Sequence, residues 1–218
     1  MVTILDLYDL EHTQAKAYLQ GYEYPWEALK GIKDMIYELG RTLSPDYLQV
    51  KEGVWVHRTA QVAPTAHIDA PCIIGADTQV RHGAFVRGAA LVGDGCVVGN
   101  SVELKNVILF DGVQVPHYNY VGDSILGYKA HMGAGSLTSN VKSDKSLVTI
   151  HTDPPIATGI KKVGAMLGDF VEVGCNSVLN PGTVVGRNSR IYPASSVRGV
   201  VQADSIYKTG GAVVPRED

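Results

Sequence analysis

Nine aliphatic residues stand six apart without a break: Val56, Val62, Ile68, Ile74, Val80, Val86, Val92, Val98 and Leu104. The period resumes at Leu167 and runs through Val173, Leu179, Val185 and Ile191 to Val197. Six is neither the period of a helix nor the simple alternation of a long strand. It describes short strands separated by turns, each too small to bury its apolar side alone. Stacked units of this kind make a coil with three flat sides. Each aliphatic then lies over its equivalent ~4.8 Å away in the next turn. Small residues two places earlier (Ala60, Ala66, Cys72, Ala84, Ala90, Cys96) leave room for tight corners. All the periodic aliphatics are therefore expected in the core.

Residues 1–52 read differently, as a small helical appendage. Pro25 suits a first helical position, Trp26, Leu29, Ile32, Ile36 and Leu39 recur at helical spacing, and Gly40 suits the stop. A shorter helix is expected within 11–20. The apolar face of the appendage packs on either the repeat domain or a neighbouring chain. The repeat domain spans 53–203, followed by a tail over 204–218. Inside it the register slips at Val121, Leu126 and Met132, each followed by Gly. Over 139–160 the period is lost, and a polar segment with Pro154 and Pro155 reads as a loop projecting from one coil. Loops of that length in a compact domain usually serve function.

Charge and cysteine content narrow the partners. The 218 residues carry 19 Lys and Arg against 22 Asp and Glu, a net charge of −3, with no basic run. A nucleic-acid partner is therefore not expected, whereas small anions need only one or two placed cations. Cys72, Cys96 and Cys175 are odd in number and far apart, so neither a disulfide framework nor a zinc ligand pair is suggested, and the cytoplasm is the expected compartment. The N-terminus has acidic residues early and no long apolar core, so no signal peptide is expected. No apolar run approaches the ~18 residues of a membrane span.

The six-residue pattern resembles the hexapeptide-repeat family, and that resemblance implies an all-β fold, a left-handed parallel β-helix. Within it, HYNYVGDSILGYKAHMGAGSLTSN at 117–140, preceded by FVRG at 85–88 and VGNSVELK at 98–105, is similar to one family signature. That signature belongs to the acetyltransferase half of bifunctional N-acetylglucosamine-1-phosphate uridyltransferase/glucosamine-1-phosphate acetyltransferases. The resemblance implies an acyltransferase that uses an acyl-CoA, with acetyl-CoA as donor, on an amino-sugar phosphate or a nucleotide-linked amino sugar. It also implies a homotrimer with the site between subunits. Position by position, the family's general base falls on His117 and its phosphate-binding cations on Arg87 and Lys105. Tyr120 and Asn140 fall on sugar-phosphate contacts, and Ala134 on a backbone position near the thioester. The chain departs from the signature where His131 replaces a sugar-contacting Asn, where Val141 replaces a Tyr, and where Cys175 replaces a Ser near CoA. No uridyltransferase activity is expected, because the roughly 50 residues before the repeats hold no Gly-rich phosphate loop.

The residue types suit these roles. Acyl transfer to an amine requires removal of a proton as nitrogen attacks the thioester carbon, work fit for a neutral imidazole. Arg holds a phosphate by two parallel hydrogen bonds, and Lys holds it as a point charge. Glycines at 133 and 135 let backbone N–H groups approach a thioester oxygen. Taken without the resemblance, His117 is a loop histidine after Pro116, Arg87 and Lys105 are solvated turn charges, and Cys175 is a packed small residue. His131 is an acceptor contact, a supporting partner or a surface residue. Two other classes stay open: a metalloenzyme like the γ-class carbonic anhydrases, with His82, His117 and His131 as ligands, and a non-catalytic β-helix used for assembly or sugar-nucleotide sensing.

Overall fold

A computed structural model describes residues 2–217, so Met1 and Asp218, the outermost residues of the expected appendage and tail, lie outside the described residues. The chain winds into a parallel β-helix. One side runs through Val54–His57, Cys72–Ile74, Ala90–Val92 and onward to Thr183–Val185 and Val200–Val201. The second is a nine-stranded sheet from Gln61–Val62 to Ser205–Tyr207, edged by Val213–Pro215. The third stacks His67–Ile68, Phe85–Val86 and, beyond the loop, Val178–Leu179 and Ser196–Val197. Within the expected tail, Ser205–Tyr207 continues the second side, and Val213–Pro215 folds back antiparallel on it.

The periodic aliphatics point inward. Ile74, Val86, Val92, Val98, Leu104, Leu179 and Val197 are completely buried. At ~1.5–3 kcal/mol for each buried aliphatic side chain, this stack is the main source of cohesion. The first coil is a correction to the all-core expectation. Val62 is 37% exposed, and Val56 and Ile68 are only half-buried, because no coil lies beneath them. With Val50, Val54 and Ala66 they line an open pocket of about 440 Å3.

The central slip in register has a local cause. Val92 pairs with Leu109 and Leu109 with Leu126, seventeen positions apart, whereas Ile74 and Val92 are eighteen apart. One residue is missing from each central coil. Glu103–Leu109 and Tyr120–Leu126 therefore run as seven-residue strands from the third side onto the first. Asn106 and Asp123 occupy the turning points with φ of 56° and 48°. Asn and Asp are the non-glycine residues that best tolerate this left-handed region.

The appendage packs on the repeat domain of its own chain. Leu7, Tyr8, Trp26, Ile32 and Ile36 are buried, and the Tyr8 hydroxyl donates to the Ile125 carbonyl at 3.3 Å. The single helix expected from Pro25 is instead Pro25–Ala28, a 3-10 turn Leu29–Gly31, and Ile32–Gly40. The Tyr18 hydroxyl takes the Ala28 carbonyl at 2.5 Å and fills the space where a Cβ on Gly31 would stand, and a side chain inserted into the ladder in this way breaks it. The expected shorter helix is reduced to Lys16–Leu19.

The loop is more ordered than its composition suggests. Thr149–Ile150 and Ile156–Ala157 pair as an antiparallel hairpin. Val148, Ile150 and Val163 are fully buried, and a Cβ on Gly182 would come within 2.8 Å of Val148.

Candidate functional site

A single buried carboxylate organises one group of candidates. The Asp123 side chain, 4% exposed, accepts from Lys105 Nζ at 3.0 and 3.2 Å and from Asn106 Nδ2 at 2.9 Å. Asn140 Nδ2 donates to its other oxygen at 2.5 Å and to the Tyr120 hydroxyl at 3.1 Å. Lys105, Tyr120 and Asn140 are thus brought together. Arg87 lies one coil below and donates to Glu103 at 2.7 Å, with Glu103 in register with Tyr120. Burial, reinforced by the Asp123 charge, pushes the Tyr120 phenol above its usual range, so it stays protonated and able to donate. For Arg87 the cause is different: the hydrogen bond to Glu103, with the charge of that carboxylate, raises its guanidinium. The loop is pinned here too. Val163 N–H donates to the Asn140 carbonyl at 3.1 Å, and Gly164 N–H to the Asp123 carbonyl at 2.8 Å.

Asp123 was not among the sequence candidates. Its signal was its spacing from Asn106, one short coil apart, with each residue at a corner that needs a left-handed backbone.

His117 occupies a different corner, at the end of Gln114–His117. It is exposed, and no protein group bonds its ring among the described residues, so both ring nitrogens are open. Its backbone N–H is held by Asn119 Oδ1 at 3.1 Å, and Asn119 Nδ2 donates in turn to the Gly133 and Ser136 carbonyls at 2.8 and 3.0 Å. Asn100 pairs with His117 in the coil below. In the coils above, Gly135 N–H donates to the His117 carbonyl at 3.0 Å, and Asn176 N–H to the Ala134 carbonyl at 2.8 Å. His117, Ala134 and Cys175 therefore rise along one corner. Gly133 and Gly135 N–H groups are both spent within the fold, the first on the Val173 carbonyl at 2.7 Å. The Ala134 N–H donates to no protein acceptor among the described residues, which leaves one uncommitted donor where sequence reasoning had allowed several. Glycine at 133 is needed for close stacking, since a Cβ there would meet the Cys175 nitrogen at 2.7 Å.

His131 stands apart from both groups. It pairs with Gln114 on the nine-stranded side, and its Nδ1 lies 3.0 Å from Glu172 Oε2. His82 bonds Thr65 at 2.7 Å. Among the described residues no three His, Cys, Asp or Glu side chains converge as a metal-binding group, so His82, His117 and His131 do not form one centre.

The family described as GMPPB C-terminal domain matches residues 71–153, which include Arg87, Lys105, His117, Tyr120, His131, Ala134 and Asn140 but not Cys175. A bifunctional protein GlmU of Methanococcus maripaludis (strain S2 / LL) is 27% identical over 212 residues, 95% of this chain and 52% of that protein. A bifunctional sugar-1-phosphate nucleotidylyltransferase/acetyltransferase of Sulfurisphaera tokodaii is 27% identical over 164 residues, 75% of this chain and 41% of that protein. The chain spans about half the length, or less, of these curated relatives. Among solved structures, the acetyltransferase domain of PglB from Neisseria gonorrhoeae FA1090 in complex with acetyl coenzyme A superposes with a TM-score of 0.36 at 16% identity, covering 85% of this chain and 67% of that one.

Proposed function

We propose that this chain is an acetyl-CoA-dependent acetyltransferase acting on an amino sugar that carries a phosphate, either as a sugar phosphate or linked to a nucleotide. The observation that carries the reading is the single corner formed by His117, Ala134 and Cys175, beside the Arg87, Lys105, Tyr120 and Asn140 group. The names of the similar proteins, with their acetyltransferase component, point the same way. The acyl donor lies along the corner, with its thioester near Ala134 and its sulfur side toward Cys175. Arg87 and Lys105 take the acceptor phosphate, and Tyr120 and Asn140 contact the sugar.

The acceptor nitrogen attacks the thioester carbon, forming the N–C bond. His117 takes the proton that nitrogen loses, and the Ala134 N–H donates to the oxygen as charge gathers on it. When the C–S bond breaks, the proton on His117 passes to the departing thiolate. The free ring of His117 fits this work, because neither nitrogen is committed elsewhere.

The same reading makes the molecule a cyclic homotrimer. Large exposed apolar side chains follow two site residues, Tyr118 at 66% after His117 and Val141 at 40% after Asn140, and the loop carries a third, Leu147 at 50%. The loop then reaches a neighbour and completes the site there. The cytoplasm, where the three free thiols stay reduced, is its proposed compartment. No helix among the described residues is long and apolar enough to cross a membrane.

Two measurements test the reading. Thiol release from acetyl-CoA should depend on glucosamine-1-phosphate or a nucleotide-linked amino sugar. Acetyl-CoA should raise the melting temperature by mass action. If no acyl donor binds, the enzyme reading fails and a non-catalytic β-helix replaces it. A monomer in sedimentation at micromolar concentration refutes the shared site.

A further inference from the structure

Arg87 and Lys105 share a pocket of about 310 Å3 with a residue from outside the β-helix, Lys33 of the helix Ile32–Gly40. Each β-helix cation already has a carboxylate partner, Arg87 with Glu103 and Lys105 with Asp123. Lys33 has none among the described residues, and no acidic side chain lines the pocket. The positive charge left uncompensated there is therefore the one on Lys33. The pocket floor is made of small residues, Ala70, Pro71, Gly88 and Ala89. Gly88 has a φ of +80°, and a Cβ there would strike the Ala70 carbonyl at 2.4 Å, so the floor stays low and open.

Lys33 rides on an element that the site itself holds in place. Ile32 and Ile36, on either side of it, are completely buried against the coil. Asn106 Nδ2 donates both to the Leu29 carbonyl, just ahead of the helix, at 3.2 Å and to Asp123 at 2.9 Å. The carboxylate that holds Lys105 is thus one hydrogen-bonded residue away from the turn that carries Lys33.

We infer that Lys33 is a third phosphate-binding cation and that the acceptor is linked through a diphosphate, as in a nucleoside-diphosphate amino sugar. This rests on the acetyltransferase reading and goes further by choosing between its two acceptor classes. One phosphoryl group sits between Arg87 and Lys105, where the guanidinium fork can hold two oxygens. The second meets Lys33 from the opposite wall. The appendage is then part of the acceptor site within one protomer, in addition to packing on the coil.

The test compares full-length wild type, Lys33→Gln and Lys33→Arg, using pyrophosphate and inorganic phosphate as probes in titration calorimetry. Wild type should bind pyrophosphate more tightly than phosphate. Lys33→Gln should weaken pyrophosphate by about tenfold and leave phosphate nearly unchanged, while Lys33→Arg should restore the preference. In acetyl transfer, Lys33→Gln should raise KM for UDP-glucosamine with kcat held, and leave KM for glucosamine-1-phosphate alone. If Lys33→Gln weakens both anions equally, or neither, the inference is overturned even where acetyl transfer is robust. If pyrophosphate binding depends on Lys33 but no amino sugar is acetylated, the anion site stands and the acetyltransferase reading falls.

Discussion

Asp123→Ala is the substitution whose cost the geometry fixes most closely. It removes the acceptor for Lys105, Asn106 and Asn140 together. The lysine side chain is 28% exposed and regains water, which discounts its share of the loss. The two amides lose a charged partner, and Ala must hold a backbone with φ of 48°. These effects sum to about 3 kcal/mol. At ~2–4 °C per kcal/mol for a chain of this size, Tm should fall by about 6–12 °C. Asp123→Asn should cost far less. Asn tolerates the left-handed corner and keeps one oxygen for Lys105 and Asn106. Asn140 can then turn its amide over, presenting its oxygen to the new amide and to the Tyr120 hydroxyl, which is protonated and free to donate. The expected loss is about 1 kcal/mol, or ~2–4 °C. Scanning calorimetry at fixed rate, checked against urea midpoints, would measure both. An Ala variant melting within 2 °C of wild type, or an Asn variant as damaged as Ala, would show that this carboxylate does not organise the site.

His117→Asn should keep the fold and lower acetyl transfer by roughly 10²–10⁴, with acceptor affinity little changed, as read by steady-state kinetics. Gly99→Ala would place a Cβ 1.6 Å from the Pro116 carbonyl oxygen and so push away the strand that carries His117. It should lower activity and Tm together, which separates it from His117→Asn. Burial pushes the Cys96 thiol up to about 12 and Cys72 higher still, whereas Cys175 is exposed. A thiol reagent should therefore label one cysteine in the native protein and three after unfolding, and acetyl-CoA should slow the native reaction.

The frame could be read from the sequence because each inward residue of a repeat sees the same surroundings. Ile74, Val86 and Val98 need only be aliphatic and six apart, and a period records that. Lys105 and Tyr120 came from motif similarity, since nothing in the period marks outward residues. Asp123 escaped notice because its role depends on the missing residue that turns the strand at that corner. The break at Gly31 escaped as well, because the Tyr18 hydroxyl that causes it lies thirteen residues away in the chain. The hairpin in the loop is carried by Val148 and Ile150, too short a run to outweigh the polar residues around it.

Leu126 stacks on Leu167, Met132 on Val173 and Thr138 on Leu179, each pair forty-one positions apart yet joined as closely as neighbours eighteen apart. The wall registers where the chain departs and where it lands, and it takes Val148 and Ile150 of the inserted segment into its core. Because closure entropy grows slowly with loop length, segments of very different size can hang from the corner at Asn140, provided that they still seat two apolar side chains against Gly182. The exposed part of the hairpin can then vary while Val148 and Ile150 keep the aliphatic stack closed, which makes this corner a natural point for grafting new recognition onto the scaffold.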